Sequence, residues 1–223
     1  MIYKDAFHRS AGRPARSISL LIAVMICLLP GLPTYGEQDH QHHHPAKKPE
    51  GDGAKMKLSI PDVELLDQEG KPVHFYADLI RGKTVAINFI FTTCTTICPP
   101  MAATFSKVQT LLDGGLGKDF FLISVSVDPV TDTPERLKEW SAKFDRKRGW
   151  TLVTGRKSEV DRLLKALGAY TSTKEDHTPL VLIGNDAKGE WTRAYGLAPA
   201  AKLADIIDAA IEKRESHTEG KPK

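Results

Sequence analysis

Val85-Ala86-Ile87-Asn88-Phe89-Ile90-Phe91-Thr92-Thr93-Cys94-Thr95-Thr96-Ile97-Cys98-Pro99 is an apolar run that breaks into a polar turn holding two cysteines. A continuous apolar stretch of this length reads as a strand buried on both faces. After the turn, Met101, Phe105, Val108 and Leu112 recur at helical spacing, which predicts a helix. Both thiols therefore sit where a strand passes into a helix. Unpaired N–H groups at a helix N-terminus favour thiolate over thiol. Thiolate is the form that binds soft metals and attacks disulfides.

The spacing separates these two chemistries in part. Three residues lie between Cys94 and Cys98. Residues four apart on a regular helix hold their Cβ atoms about 5–6 Å apart, whereas a disulfide needs roughly 3.5–4.5 Å. A metal that bonds each sulfur at about 2.3 Å, as zinc does, spans the wider gap more easily. Metal binding is favoured, and a disulfide stays open because Cys94 is expected in the loop ahead of the helix. A purely structural disulfide would close a very short loop and constrain little unfolded-chain entropy.

Working outward, strands alternate with helices. Phe120–Val127 is the next apolar run, and Leu137, Trp140 and Phe144 mark a helix with Thr133 as N-cap and Pro134 at its first position. Trp150–Val153 reads as a strand, and Val160, Leu163, Leu164 and Leu167 line another helix. Leu180–Ile183 and Trp191–Tyr195 form a hairpin, and Leu203, Ile206, Ile207 and Ile211 a terminal helix. Ahead of the cysteine strand, Val63–Leu66 and Pro72–Phe75 flank Asp67-Gln68-Glu69-Gly70 as an N-terminal β-hairpin extension. The expected fold is α/β, a central mixed β-sheet flanked by helices, over residues 57–214.

The remaining segments set the compartment. Residues 1–36 carry Lys4, Arg9, Arg13 and Arg16, then the apolar run Ile18–Leu29, then Thr34-Tyr35-Gly36, which offers small-residue positions for cleavage. This reads as a signal peptide or an N-terminal membrane anchor, the run being short of the roughly 20 residues a spanning helix needs. Either way the domain is expected to be exported, to the periplasm, free or anchored to the inner membrane. Residues 37–56 form a His-rich flexible linker with imidazoles at His40, His42, His43 and His44, and residues 215–223 a disordered tail. The His tract is equally a metal-binding segment and a solvated spacer. Cys27 lies in the export segment, after Met25 and Ile26, which are too bulky for a lipoprotein cleavage site.

The full chain has 31 Lys+Arg against 28 Asp+Glu, and removing residues 1–36 leaves 27 against 27. The basic balance thus belongs to the precursor, and no nucleic-acid footprint is present.

Cys94-Thr95-Thr96-Ile97-Cys98-Pro99 after one strand, Asp128-Pro129 with Asp132-Thr133-Pro134 after the next, and Asp176-His177-Thr178 before a later one resemble the SCO/SenC family. The resemblance covers essentially the whole folded part. It implies a thioredoxin-like fold and a copper chaperone involved in cytochrome c oxidase assembly, with Cys94, Cys98 and His177 as copper ligands. The chemistry agrees: thiolates select Cu(I), and imidazole serves Cu(I) and Cu(II) alike. Partners implied are a membrane cuproprotein such as a cytochrome c oxidase copper subunit, and a periplasmic copper donor or thiol reductant. A thiol–disulfide oxidoreductase with Cys94 and Cys98 as its catalytic redox pair, reducing the target's cysteines, is the alternative.

Asp128 ends a strand at the edge where such sheets build their sites. It would orient His177 or steer a cationic partner, or simply turn the chain before Thr133. Asp132 and Glu135 read as helix-start chemistry, and His74 as an ordinary hairpin residue. The chain departs from many relatives in having no acidic residue between its cysteines. Pro179 follows His177-Thr178 where thioredoxin-like folds often carry a cis-proline facing the cysteines; sequence leaves its isomer open.

Overall fold

The computed structural model describes residues 55–195 and 197–212. The chain divides into Met1–Ala46 and Lys47–Lys223, and the described residues belong to the second unit. The expected export segment, the His40–His44 tract and the tail lie outside the described residues.

In chain order the elements are β1 (Lys55–Met56), β2 (Glu64–Asp67), β3 (Pro72–His74), β4 (Thr84–Ile90), α1 (Cys98–Leu111), β5 (Phe121–Ser126) and α2 (Pro134–Ala142). They continue with β6 (Trp150–Thr154), α3 (Lys157–Leu167), β7 (Leu180–Asn185), β8 (Glu190–Tyr195) and α4 (Ala200–Glu212). The strands form one mixed sheet in the order β1-β8-β7-β4-β5-β6-β2-β3. β4, β5 and β6 run parallel, while β7 lies antiparallel to β4. The expected mixed sheet, flanking helices and N-terminal hairpin are all present, and β4 occupies a central position.

That position explains the apolar run: every residue of β4 is buried. Alternate side chains serve the two faces. Ala86 and Ile90 pack with Met101, Phe105, Leu137, Trp140 and Leu203 under α1, α2 and α4. Val85, Ile87 and Phe89 pack with Val160, Leu163 and Leu167 of α3 and with Leu65 and Phe75 of the hairpin region. Thr133 caps α2 as expected, its Oγ1 accepting from Arg136 N–H at 3.3 Å.

Two expectations shift. Lys55 and Met56, assigned to the linker, pair with Thr192 and Trp191 of β8. Phe75, expected to finish β3, instead opens a π-helical turn at Phe75–Ile80. Side-chain acceptors draw the backbone off the ladder: Asp62 Oδ1 takes the N–H groups of Tyr76 and Ala77, each at 3.0 Å, and Asp78 takes that of His74 at 2.8 Å. No described peptide bond is cis, so the bond before Pro179 is trans.

Candidate metal centre

β4 delivers the chain to the C-terminal edge of the parallel strands, where Phe91 O accepts from Cys94 N–H at 3.2 Å. The loop is pinned from beneath by Asp132. This carboxylate, 1 % exposed, accepts from Thr92 N–H at 3.1 Å, Thr92 Oγ1 at 2.5 Å and Ser126 Oγ at 2.7 Å. The sequence reading of Asp132 as helix-start chemistry is therefore incomplete. It faces inward and joins the cysteine loop to β5.

Cys94 lies in the loop and Cys98 opens α1, as the spacing predicts. Pro99 and Pro100 have no N–H to offer, and Met101 N–H bonds Ile97 O at 3.2 Å. The Cys98 N–H is thus left to Cys94 Sγ, which accepts it at 3.3 Å, and Thr96 Oγ1 stands 3.7 Å from the same sulfur. Burial pushes the Cys94 thiol up, but the hydrogen bonds from Cys98 and Thr96 outweigh it and bring it down to about 7. Cys98 moves the other way, raised by its burial, by donation to Cys94 and by the charges of Cys94 and Asp132. Both are free thiols.

His177 follows a 3₁₀ turn at Lys174–Asp176 and is 6 % exposed. Its Nδ1 lies 2.8 Å from Lys174 O. A carbonyl oxygen only accepts, so Nδ1 carries a proton, and in the neutral ring the lone pair is on Nε2. Nε2 faces Cys98 Sγ at 3.8 Å. For metal bonds of about 2.3 Å to sulfur and 2.0–2.1 Å to nitrogen, tetrahedral to trigonal angles place those atoms roughly 3.5–3.8 Å apart. The pair therefore already stands at the separation one metal ion would impose. Among the described residues no three Cys, His, Asp or Glu side chains are drawn up as a closed metal cluster. The structure sets the Cys98–His177 pair, with the Cys94 sulfur one hydrogen bond away through the Cys98 N–H.

Asp128 follows the end of β5, where its backbone turns the chain, and its carboxylate takes Lys174, not His177. Its backbone carbonyl accepts from Thr131 and Asp132 N–H at 3.0 and 2.9 Å, turning the chain towards α2. Its carboxylate bonds Lys174 Nζ at 2.6 Å. Burial raises the Asp128 carboxyl, but Lys174 and Thr131 more than reverse this and hold it below its ordinary value. Phe91 meets the His177 ring edge-on, with centroids 5.4 Å apart. His74 is remote in role: it pairs with Asp62 on the exposed hairpin. Sequence reasoning missed Phe91 and Lys174. An aromatic closing an apolar strand and a lysine in a polar loop carry no pattern of their own.

A family model described as SCO1/SenC matches residues 52–211. The SCO1 protein homolog of Bacillus subtilis is 34% identical over 142 residues, covering 60% of this chain and 72% of its own. Among solved structures, BsSco, described as a member of the Sco family of cytochrome c oxidase assembly proteins, superposes with a TM-score of 0.60 at 28% identity, over 71% of this chain and 96% of its own. ScoI of Bradyrhizobium japonicum, solved with copper bound, has the same fold with a TM-score of 0.56 at 24% identity, over 72% and 99% of the two chains.

Proposed function

The chain belongs to the SCO1/SenC family, and from that premise we propose that it is an exported copper chaperone that loads a membrane cuproprotein, the binuclear copper site of cytochrome c oxidase. The observation that carries this reading is the approach of His177 Nε2 to Cys98 Sγ at 3.8 Å, beside a thiolate-prone Cys94. Cys94 and Cys98 hold copper as thiolates and His177 adds a nitrogen. Two sulfurs suit Cu(I), and the imidazole extends the set to Cu(II). Cys98 must lose its raised proton on binding, so uptake releases protons and weakens as pH falls. Three ligands leave the ion open to a fourth from the recipient, whose thiolates can displace them one at a time. The domain works in the periplasm, with residues 1–36 as signal peptide or anchor, and takes its copper from a periplasmic donor.

The test is anaerobic Cu(I) titration of the reduced domain against a competing chelator, beside a Cys94→Ser/Cys98→Ser variant. The loaded domain is then mixed with the reduced binuclear-copper domain of an oxidase subunit. One-to-one binding lost in the variant, followed by transfer, is expected. Binding that survives in the variant, or no transfer, overturns the reading.

The opposed shifts of the two thiols favour a second reading, a thiol–disulfide oxidoreductase that reduces the recipient's cysteines. Cys94 would attack as thiolate and Cys98 resolve the mixed disulfide, with a periplasmic thiol reductant restoring the pair. Stopped-flow reduction of an oxidised recipient separates the two; negligible turnover with a reductant present removes the enzyme.

A further inference from the structure

We propose that Lys174 is a positioning residue for His177: clamped on Asp128 at the end of β5, it holds the Lys174–Asp176 turn so that its own carbonyl aims the imidazole at Cys98. The inference rests on the copper reading above and deepens it.

The geometry is a closed circuit of short contacts. Lys174 Nζ bonds Asp128 Oδ2 at 2.6 Å and stands 5.3 Å from the centre of the Phe91 ring. Phe91 in turn meets the His177 ring edge-on. The backbone carbonyl of Lys174 accepts from both His177 Nδ1, at 2.8 Å, and His177 N–H, at 3.3 Å. One residue therefore anchors the turn through its side chain and orients the ligand through its main chain. Asp128 is a firm anchorage, because its own N–H is held by Ser126 Oγ at 3.1 Å and its carbonyl by the turn into α2.

The turn has little else to hold it. None of Lys174, Glu175 and Asp176 is buried. The other side-chain bonds nearby, Thr173 Oγ1 to Asp176 Oδ2 at 2.5 Å and Thr171 Oγ1 to Thr173 O at 2.7 Å, are local to the segment. Among the described residues, the Lys174–Asp128 bridge is the side-chain bond that ties it to the sheet. Its side chains are 30% and 12% exposed, so it is less screened than an open surface pair.

The consequence is selectivity between oxidation states. The sulfurs hold Cu(I) without help, whereas Cu(II) depends on the imidazole. A loosened turn lowers the fraction of time His177 spends in reach of Cys98, and that reduction falls on Cu(II). Lys174 thus tunes the site without touching the metal.

The test compares wild type, Lys174→Met, Lys174→Arg and His177→Ala. Amide hydrogen exchange at His177 and Asp176 is measured without metal, and Cu(II) and Cu(I) affinities are measured by chelator competition. Between the strength of an exposed ion pair and that of a charge-assisted bond, Lys174→Met is expected to weaken Cu(II) roughly three- to tenfold. It should leave Cu(I) within twofold and speed exchange at His177 several-fold, and Lys174→Arg should restore both the Cu(II) affinity and the slow exchange. Unchanged exchange at His177 in Lys174→Met overturns the proposal, as does a Cu(I) loss equal to the Cu(II) loss. If wild type and His177→Ala bind Cu(II) equally, the copper reading of His177 fails, while the metal-free exchange measurement still decides the latch.

Discussion

Cys98 Sγ and His177 Nε2 stand 3.8 Å apart although 79 positions separate them in the chain. One comes from the first residue of α1 and the other from the approach to β7, and the pairing of β4 with β7 brings them together. His177→Ala should abolish nitrogen coordination of Cu(II), seen as loss of nitrogen splitting in its electron paramagnetic resonance spectrum. Cu(I) affinity should change little, because two thiolates remain. An unaltered Cu(II) spectrum would remove His177 from the site.

Cys94 and Cys98 should differ in reactivity. With Cys94 brought down to about 7, its alkylation by iodoacetamide should rise through a midpoint near that pH. Cys98, raised by burial and by its neighbours, should stay unreactive until well above that range. Mass mapping of the labelled peptide between pH 6 and 9 checks the order. Label appearing first on Cys98 would contradict it.

Asp132→Ala should destabilise the fold while leaving both cysteines in place. The substitution strips the acceptor from the Thr92 N–H and hydroxyl and from Ser126 Oγ, all at the base of the cysteine loop. Leaving such groups unsatisfied costs about 2–4 kcal/mol in total, measurable as a lower urea midpoint. A midpoint equal to wild type would show the loop is held by other means.

Ser124→Ala tests the core beneath the same loop. Ser124 Oγ accepts from the fully buried Trp150 Nε1 at 3.0 Å. Removing it orphans the indole N–H and should cost about 1–3 kcal/mol. No measurable change in urea unfolding would mean that the indole finds another acceptor.

Much of this fold is legible from periodicity alone. β4 and β5 announce themselves because both faces of a central strand are apolar, and α3 because Val160, Leu163, Leu164 and Leu167 fall on one buried stripe. The cysteine pair and its place at a strand-to-helix turn are equally local. His177 enters by resemblance, since a lone histidine has no spacing to betray it. Asp132 and Lys174 escape for a different reason. Their partners, Thr92 and Asp128, lie 40 and 46 positions away, so their roles exist only once strand order is known. Phe75 misleads because Asp62, more than a turn of chain upstream, takes N–H groups a strand would have used. Lys55–Met56 is too short a strand to carry any alternation.

The hairpin side of the sheet has a use of its own. There the sheet ends on β3, a strand of three residues. A strand edge recruits other chains in proportion to the row of unpaired backbone groups it presents. A row this short offers a foreign strand almost no template, so on the β3 side the apolar inner strands are kept from pairing copy upon copy.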